Sequence, residues 1–246
     1  MWDRPDILNR LADSLIAVAA LLVLFGALHF VLRLPVFPLR EVRVTNAVAL
    51  VSREQVEALI RREIRGNFFT LDLAATRLAF AQLAWVRNVS MRRRWPDRLE
   101  VTLEEHVPLA RWGNLALVNN HGEVFNAAYD GDLPLFVGPP EAAKEIAMQY
   151  EFFRRTLAAI GKAPAQVQVT PRRAWRVRLE GGPTLELGRE QVEARLARFV
   201  AAYGRTLGRL DRRIDFVDLR YANGFAVRIP ELRFEKTAPK GRKGRA

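Results

Sequence analysis

The sequence predicts an α+β protein in three parts: a single N-terminal membrane helix, a strand-helix-helix-strand-strand unit, and a mostly antiparallel β domain with helices packed on it. Three observations carry this reading. Leu15 to Leu32 (LIAVAALLVLFGALHFVL) contains no charged residue. Between Leu39 and Val107 the apolar spacing changes from strand-like to helix-like and back. From Asn114 to Ile229 short alternating runs recur, separated by turn-forming Gly, Pro and Asn residues.

The apolar run is the first element. Its residues, at ~1.5 Å each, span roughly 27 Å, close to a bilayer core of ~30 Å, and Leu11 and Ala12 extend it. A cleavable signal peptide would have a shorter apolar region and an A-x-A-like site, whereas this run passes straight into RLPVFPLR. An uncleaved anchor over residues 11–33 is therefore expected, after a short tail of residues 1–10. Charge does not fix its orientation, because Arg4 and Arg10 precede it while Arg33, Arg40 and Arg43 follow closely.

Composition narrows the partners. At 246 residues with 50% hydrophobic content, the chain can bury one or two ordinary cores. A net charge of +12 suits an acidic partner, an anionic membrane surface or nucleic acid, although an uncommitted basic surface explains it equally well. The absence of cysteine excludes disulfides and thiolate chemistry.

After the anchor, LREVRVT (Leu39–Thr45) reads as a short edge strand. Ser52 and Gln55 have the spacing of a capping box, and Val56, Leu59 and Ile60 form the apolar stripe of the helix that follows. A second helix is expected from about Asp72 to Leu83, then strands over Val86–Arg93 and Arg98–Val107 joined by RWPD. In the remaining half, Asn114–Phe125 reads as strand, turn and strand, and Leu135–Val137 as another strand. Glu141–Ile160 reads as a helix ended by Gly161. Trp175, Val177 and Leu179 alternate toward a Gly181-Gly182 turn, and Arg189 to about Tyr203 forms an amphipathic helix.

VDLRYANGFAVRI (Val217–Ile229) reads as a hairpin about a type I′ turn at Asn223-Gly224. That register sets Ala222 opposite Phe225, Tyr221 opposite Ala226 and Arg220 opposite Val227. One face then carries Asp218, Arg220, Ala222, Phe225, Val227 and Ile229. Pro230 and the basic stretch beyond it offer nothing to cover the outer edge of the last strand.

Catalytic signatures are missing from the pattern. The three serines are Ser14, Ser52 and Ser90, none in a G-x-S-x-G elbow, and His106 and His121 lack metal-ligand spacing. Glu104 and Glu105 are consecutive on a strand and point to opposite faces. No phosphate-binding loop is visible. The expectation is a non-enzyme without cofactor or metal. MRRRWPDR (Met91–Arg98) resembles a nucleic-acid patch, but without a reading element it is read as a solvated strand end entering a hairpin, with Trp95 packed on its own domain. Lys236–Ala246 reads as a disordered cationic tail.

The element order and LAWVRNVSMRRRWPDRLEVTLEEHVPLARWG (Leu83–Gly113) resemble the POTRA domain of the FtsQ/DivIB family of bacterial division proteins. The residues that carry the likeness are Trp85, Val86, Val89, Trp95, Pro96, Glu105, Pro108, Ala110 and Trp112. The resemblance implies a POTRA domain over 37–107, a β domain over 108–232 and a disordered basic tail over 233–246. It further implies a bitopic divisome scaffold in the inner membrane at the septum, with the N-terminus in the cytoplasm and the domains in the periplasm. Its implied partners are FtsB and FtsL-like proteins and other divisome membrane proteins, with no nucleic acid. The implied partner-binding residues are Tyr221, Asn223, Gly224, Phe225, Val227 and Ile229, with Arg172 and Arg173. The alternative is a POTRA-containing chaperone of outer-membrane assembly or secretion. Such systems carry tandem units and a membrane barrel, whose strand pattern is not found in this sequence.

Overall fold

Pro5 to Arg33 form one continuous helix, α1, whose side chains from Asn9 to Val31 are exposed. Its stretch Asn9–Leu32 has a mean hydropathy of 2.7, and among the described residues no other helix is long and apolar enough to cross a membrane. In this computed structural model the described residues are 5–33, 38–46, 48–64, 66–209 and 213–230. The expected tail at 233–246 lies outside them. The chain divides into two compact units, Met1–His106 and Val107–Ala246.

The first unit follows α1 with β1 (Glu41–Val44), α2 (Arg53–Glu63), α3 (Leu73–Phe80), β2 (Val86–Arg94) and β3 (Arg98–Glu105). Its sheet has the order β1-β3-β2. The two-helix crossover returns the chain far enough for β1 to lie parallel to β3, while the tight β2–β3 turn makes that pair antiparallel. Leu99, Val101 and Leu103 alternate inward along β3, where they meet Val56, Leu59 and Phe80 from the helices. Glu104 and Glu105 do diverge. Glu104 pairs with Arg87 at 2.6 Å, while the Glu105 carboxylate accepts the main-chain N–H groups of Ala49, Leu50 and Val51 at 2.9, 2.8 and 2.7 Å.

Two local expectations fail in this unit. Ser52 occupies the N-cap of α2 but makes no capping bond, because its hydroxyl donates to the carboxylate of Glu54 instead. Trp95 is not packed on its domain and is 78% exposed. The β2–β3 ladder runs out to Arg94 opposite Arg98, and the nearest buried residue, Leu99, lies inside the last rung. The turn therefore projects beyond the core. The strand and helix ends also differ slightly: β3 stops at Glu105, and α3 stops at Phe80 after Asp72 caps it by accepting from Ala74 and Ala75.

The second unit comprises β4 (Pro108–Trp112), β5 (Ala116–Asn119), β6 (Val124–Phe125), β7 (Leu135–Val137), α4 (Ala143–Ala158), β8 (Pro164–Val169), β9 (Trp175–Leu179), β10 (Thr184–Gly188), α5 (Val192–Tyr203), β11 (Phe216–Asp218) and β12 (Ala226–Arg228). They form one sheet in the order β12-β11-β10-β9-β8-β7-β4-β5-β6. Pairing is parallel at β10/β11, β7/β8 and β4/β7 and antiparallel elsewhere, so the domain is mostly antiparallel. Ile146, Phe153 and Leu157 of α4 and Leu196 and Phe199 of α5 bury against Val167, Val177, Leu185 and Val217 on one sheet face. Gly161, at φ +65°, lets the Lys162 N–H reach back to the Leu157 carbonyl, which ends the α4 segment as expected.

The last hairpin departs from its expected register. Phe216 pairs with Arg228, Val217 with Val227 and Asp218 with Ala226. Residues 219–225 form a seven-residue connection in place of a two-residue turn, and Gly224 is not among the glycines with positive φ. A displacement of three residues is odd, so it exchanges the faces. Val227 now shares the helix-covered face with Val217, and Asp218 and Ala226 stand on the other.

Candidate functional site

The site is built around β12, the terminal strand of the nine-stranded sheet. On its inner side β11 lies between β10 and β12. The Leu219 N–H donates to the Glu186 carbonyl at 2.9 Å, and the Asp215 carbonyl accepts from Thr184 at 2.9 Å. The Leu219 N–H and the Asp215 carbonyl thus serve β10, whereas the Asp215 N–H donates to the Arg228 carbonyl at 3.2 Å, and Phe216 and Asp218 pair with Arg228 and Ala226 of β12. Alternation along β12 then directs the main-chain groups of Val227 outward. Among the described residues, no strand pairs with that outer edge.

Side chains fix the connection that precedes β12. Asp218, 7% exposed, accepts from the Arg220 N–H at 3.0 Å and from its guanidinium at 2.7–3.1 Å. The hydrogen bond from Arg220 holds the Asp218 carboxyl below the usual carboxylate range despite its burial. From α5, the Arg198 guanidinium donates to the Tyr221 carbonyl at 3.0 Å and also reaches the Ala222 carbonyl. These contacts hold residues 219–225 against the sheet end. Asp218 and Arg198 were not foreseen as site residues. Arg198 carried no legible signal, since its partner lies on another element.

The structure distributes the expected site residues between surface and core. Tyr221 is 58% exposed, Asn223 is exposed and Gly224 is half-buried, and the stretch Tyr221–Ala226 lines a shallow groove of about 480 Å³. Phe225 turns inward, its ring edge-on to Phe199 at 6.2 Å, and Val227 packs on the same core. Ile229 is half-buried just beyond the strand. Arg228 stays on the other face, its guanidinium 5.6 Å from the Phe216 ring centre.

Arg172 and Arg173 lie in the β8–β9 loop, both exposed. Arg173 adopts φ +60° and pairs with Glu145 of α4. Trp175 lies opposite Gly188 and Glu186 opposite Asp218, so this loop and the 219–225 connection sit at the same end of the sheet. They are separated by roughly three strand spacings, about 15 Å. The arrangement can present a cationic, partly apolar rim beside main-chain groups that no strand among the described residues pairs. Among the described residues, no group of His, Cys, Asp and Glu could hold a metal ion.

Comparison with known proteins bears directly on this architecture. The family model described as "POTRA domain, FtsQ-type" matches residues 37–106, and "Cell division protein FtsQ/DivIB, C-terminal" matches residues 110–220. The chain is 46% identical to a protein of Nitrosospira multiformis named Cell division protein FtsQ, over 93% of this chain and 99% of that one. It is 40% identical to the protein of that name from Burkholderia pseudomallei, over 99% of this chain and 100% of that one. Against the Neisseria gonorrhoeae protein of the same name, the identity is 33% over 96% of this chain and 100% of the other. With both halves matched and relatives aligned along nearly its whole length, the chain belongs to the FtsQ/DivIB family of cell-division proteins.

Proposed function

We propose that the chain is a bitopic scaffold of the division machinery. Its N-terminus lies in the cytoplasm, its two units lie in the periplasm, and it works at the septum. It recruits an FtsB/FtsL-type complex by adding an extended segment of that complex to β12, and it contacts other division membrane proteins through the remaining surface. Its work is recruitment and not catalysis.

The observation that supports this reading is the outer edge of β12, where a strand partner would satisfy outward-facing main-chain groups. Exposed Tyr221 stands at one end of that edge. An interface of this kind gains affinity from the ladder and specificity from alternate side chains, while Arg172, Arg173 and Arg228 speed encounter with an acidic segment.

The native chain has no cysteine, so Ala226→Cys creates a single attachment point for a short photocross-linker on the edge strand. The adduct formed in membranes should contain a division protein of the FtsB or FtsL type. Cross-linking confined to lipid, or to outer-membrane barrel precursors, would reject the assignment. The chaperone reading has one observation in its favour: β2 is also an edge strand, with a groove of about 480 Å³ lined by Leu73, Ala74, Arg77 and Asn88 to Met91.

A further inference from the structure

Trp95 stands at the tip of the β2–β3 hairpin with 78% of its surface exposed. An indole combines a large apolar ring with one N–H donor, a combination that suits a boundary between apolar and wet surroundings. Residues 40–43 and 91–100 contribute six arginines and only three acidic side chains around it. The Arg40, Arg94 and Arg98 side chains remain 74%, 64% and 56% exposed even though Asp97, Glu100 and Glu41 lie within ion-pair distance.

Two links tie this tip to the end of α1. The covalent one is short: six residues lie between Arg33 and Arg40, so the seven steps span at most about 25 Å of extended chain. At its far end the Arg40 N–H donates to the Asp97 carbonyl, inside the hairpin turn, at 2.9 Å. The second link runs through side chains. Asn67 Nδ2 donates to the Leu32 carbonyl at 2.8 Å, and four residues on the Leu71 carbonyl accepts from the Arg93 guanidinium at 2.6 Å. Leu32 is the last residue of the apolar stretch of α1, so its carbonyl marks where the helix leaves the hydrocarbon. With α1 spanning a bilayer, these two links tether the hairpin to the point where the helix would leave the hydrocarbon.

We propose that the Trp95 tip is a second membrane contact of this protein, with the indole seated among the headgroups of the bilayer that holds α1 and the neighbouring arginines engaging anionic phosphate headgroups. Tryptophan favours this depth because its ring and its N–H are both accommodated there. Guanidinium groups bind phosphate through paired hydrogen bonds, and their attraction to an anionic surface acts within a Debye length. The contact would set the tilt of the first unit on the membrane. It depends on α1 spanning the bilayer and is independent of what binds β12.

The test uses the full chain in nanodiscs of phosphatidylcholine, alone or mixed with phosphatidylglycerol, with plain or brominated acyl chains. Subtracting the emission of Trp95→Phe from that of the native chain isolates Trp95, and because the ring is exposed the substitution leaves the core intact. In mixed discs brominated lipid should remove the larger part of the Trp95 emission, and aqueous iodide should lose its access to the ring. Arg92→Gln with Arg94→Gln should abolish the extra quenching that phosphatidylglycerol brings, while the melting curve and the remaining tryptophan emission stay unchanged. Trp95 emission that is equal in brominated and plain discs overturns the proposal, as does shielding that arises only when partner proteins are added. Quenching that is the same with phosphatidylcholine alone overturns the anionic-headgroup assignment.

Discussion

Asp218 grips the guanidinium of Arg220, two residues further along, with both carboxylate oxygens: Nε donates to Oδ1 at 2.9 Å and Nη2 to Oδ2 at 2.7 Å, and the Arg220 N–H also donates to Oδ1 at 3.0 Å. An aspartate bonded to the N–H two residues on forms an Asx turn, which bends the chain out of β11 before Asn223-Gly224 is reached. The pair therefore sets the register of the terminal strand. The hydrogen bond from Arg220 depresses the Asp218 pKa on folding. Its stabilisation is then present above the ordinary carboxylate range near pH ~4 and is lost as pH falls through the folded value. Because the Arg220 side chain is 59% exposed, Asp218→Asn should cost only about 1–2 kcal/mol at neutral pH. Denaturant unfolding of native chain and variant should show the gap closing in acid. A gap of equal size at both pH values would count against this account.

Arg198 supplies the long-range half of the same device, since its bonds to the Tyr221 and Ala222 carbonyls cross from α5 to the connection. Arg198→Ala should leave the helices and central strands intact but raise hydrogen exchange across residues 221–226. Partner capture should fall several-fold through the ordering cost now incurred on binding. Unchanged exchange in that stretch would show that the connection is held by Phe225 packing alone.

The contrast between local and distant causes explains which parts of the fold were legible. Trp175, Val177 and Leu179 alternate because helices bury one side of the sheet and the other faces water, so β9 can be read directly from its sequence. The neighbouring β8 has the same alternation, but it opens with Pro164 and carries Gln166 and Gln168 on the outer face, so its sequence alone does not mark it as a strand. At the site, Asn223-Gly224 is a strong short-range turn signal, yet Asp218 and Arg198 override it. The exposure of Trp95 depends on where the ladder outruns the core, which no local pattern reports.

In the first unit, Glu105 closes the turn before α2 by accepting three consecutive N–H groups from Ala49 to Val51. Val51 is buried, so at least one of these donors cannot turn to water when the carboxylate is removed. Glu105→Ala should destabilise the unit by about 2–3 kcal/mol. Glu104→Ala, which loses only a surface pair with Arg87, should cost about 0–1 kcal/mol. Equilibrium unfolding of the two variants side by side tests the ranking, and equal losses would contradict it.

Orientation and cellular role can be tested together. A reporter active only in the cytoplasm, fused after Ile229, should stay dark if both units are periplasmic, and depletion should give filaments with segregated chromosomes and no septa. Normal division with loss of outer-membrane proteins would favour the chaperone reading instead.

The register of β12 makes the edge itself testable with proline. Ala226 and Arg228 pair with Asp218 and Phe216, so their N–H groups belong to the internal ladder, whereas that of Val227 faces away from β11. Proline is tolerated where the lost N–H pointed to solvent and is disruptive where it served the sheet. Val227→Pro should therefore abolish capture of an added strand while shifting the melting temperature by only a few degrees, the Val227 side-chain contact being the part it also loses. Arg228→Pro should lower stability first and capture as a consequence. Tyr221→Ala removes an exposed ring without touching the ladder and should weaken capture by roughly 1–3 kcal/mol if the ring anchors the partner. Binding measured on the full chain separates these outcomes. Undiminished capture by a folded Val227→Pro protein would mean that the partner docks elsewhere and that, among the described residues, Arg228 and Pro230 are what guards the open edge.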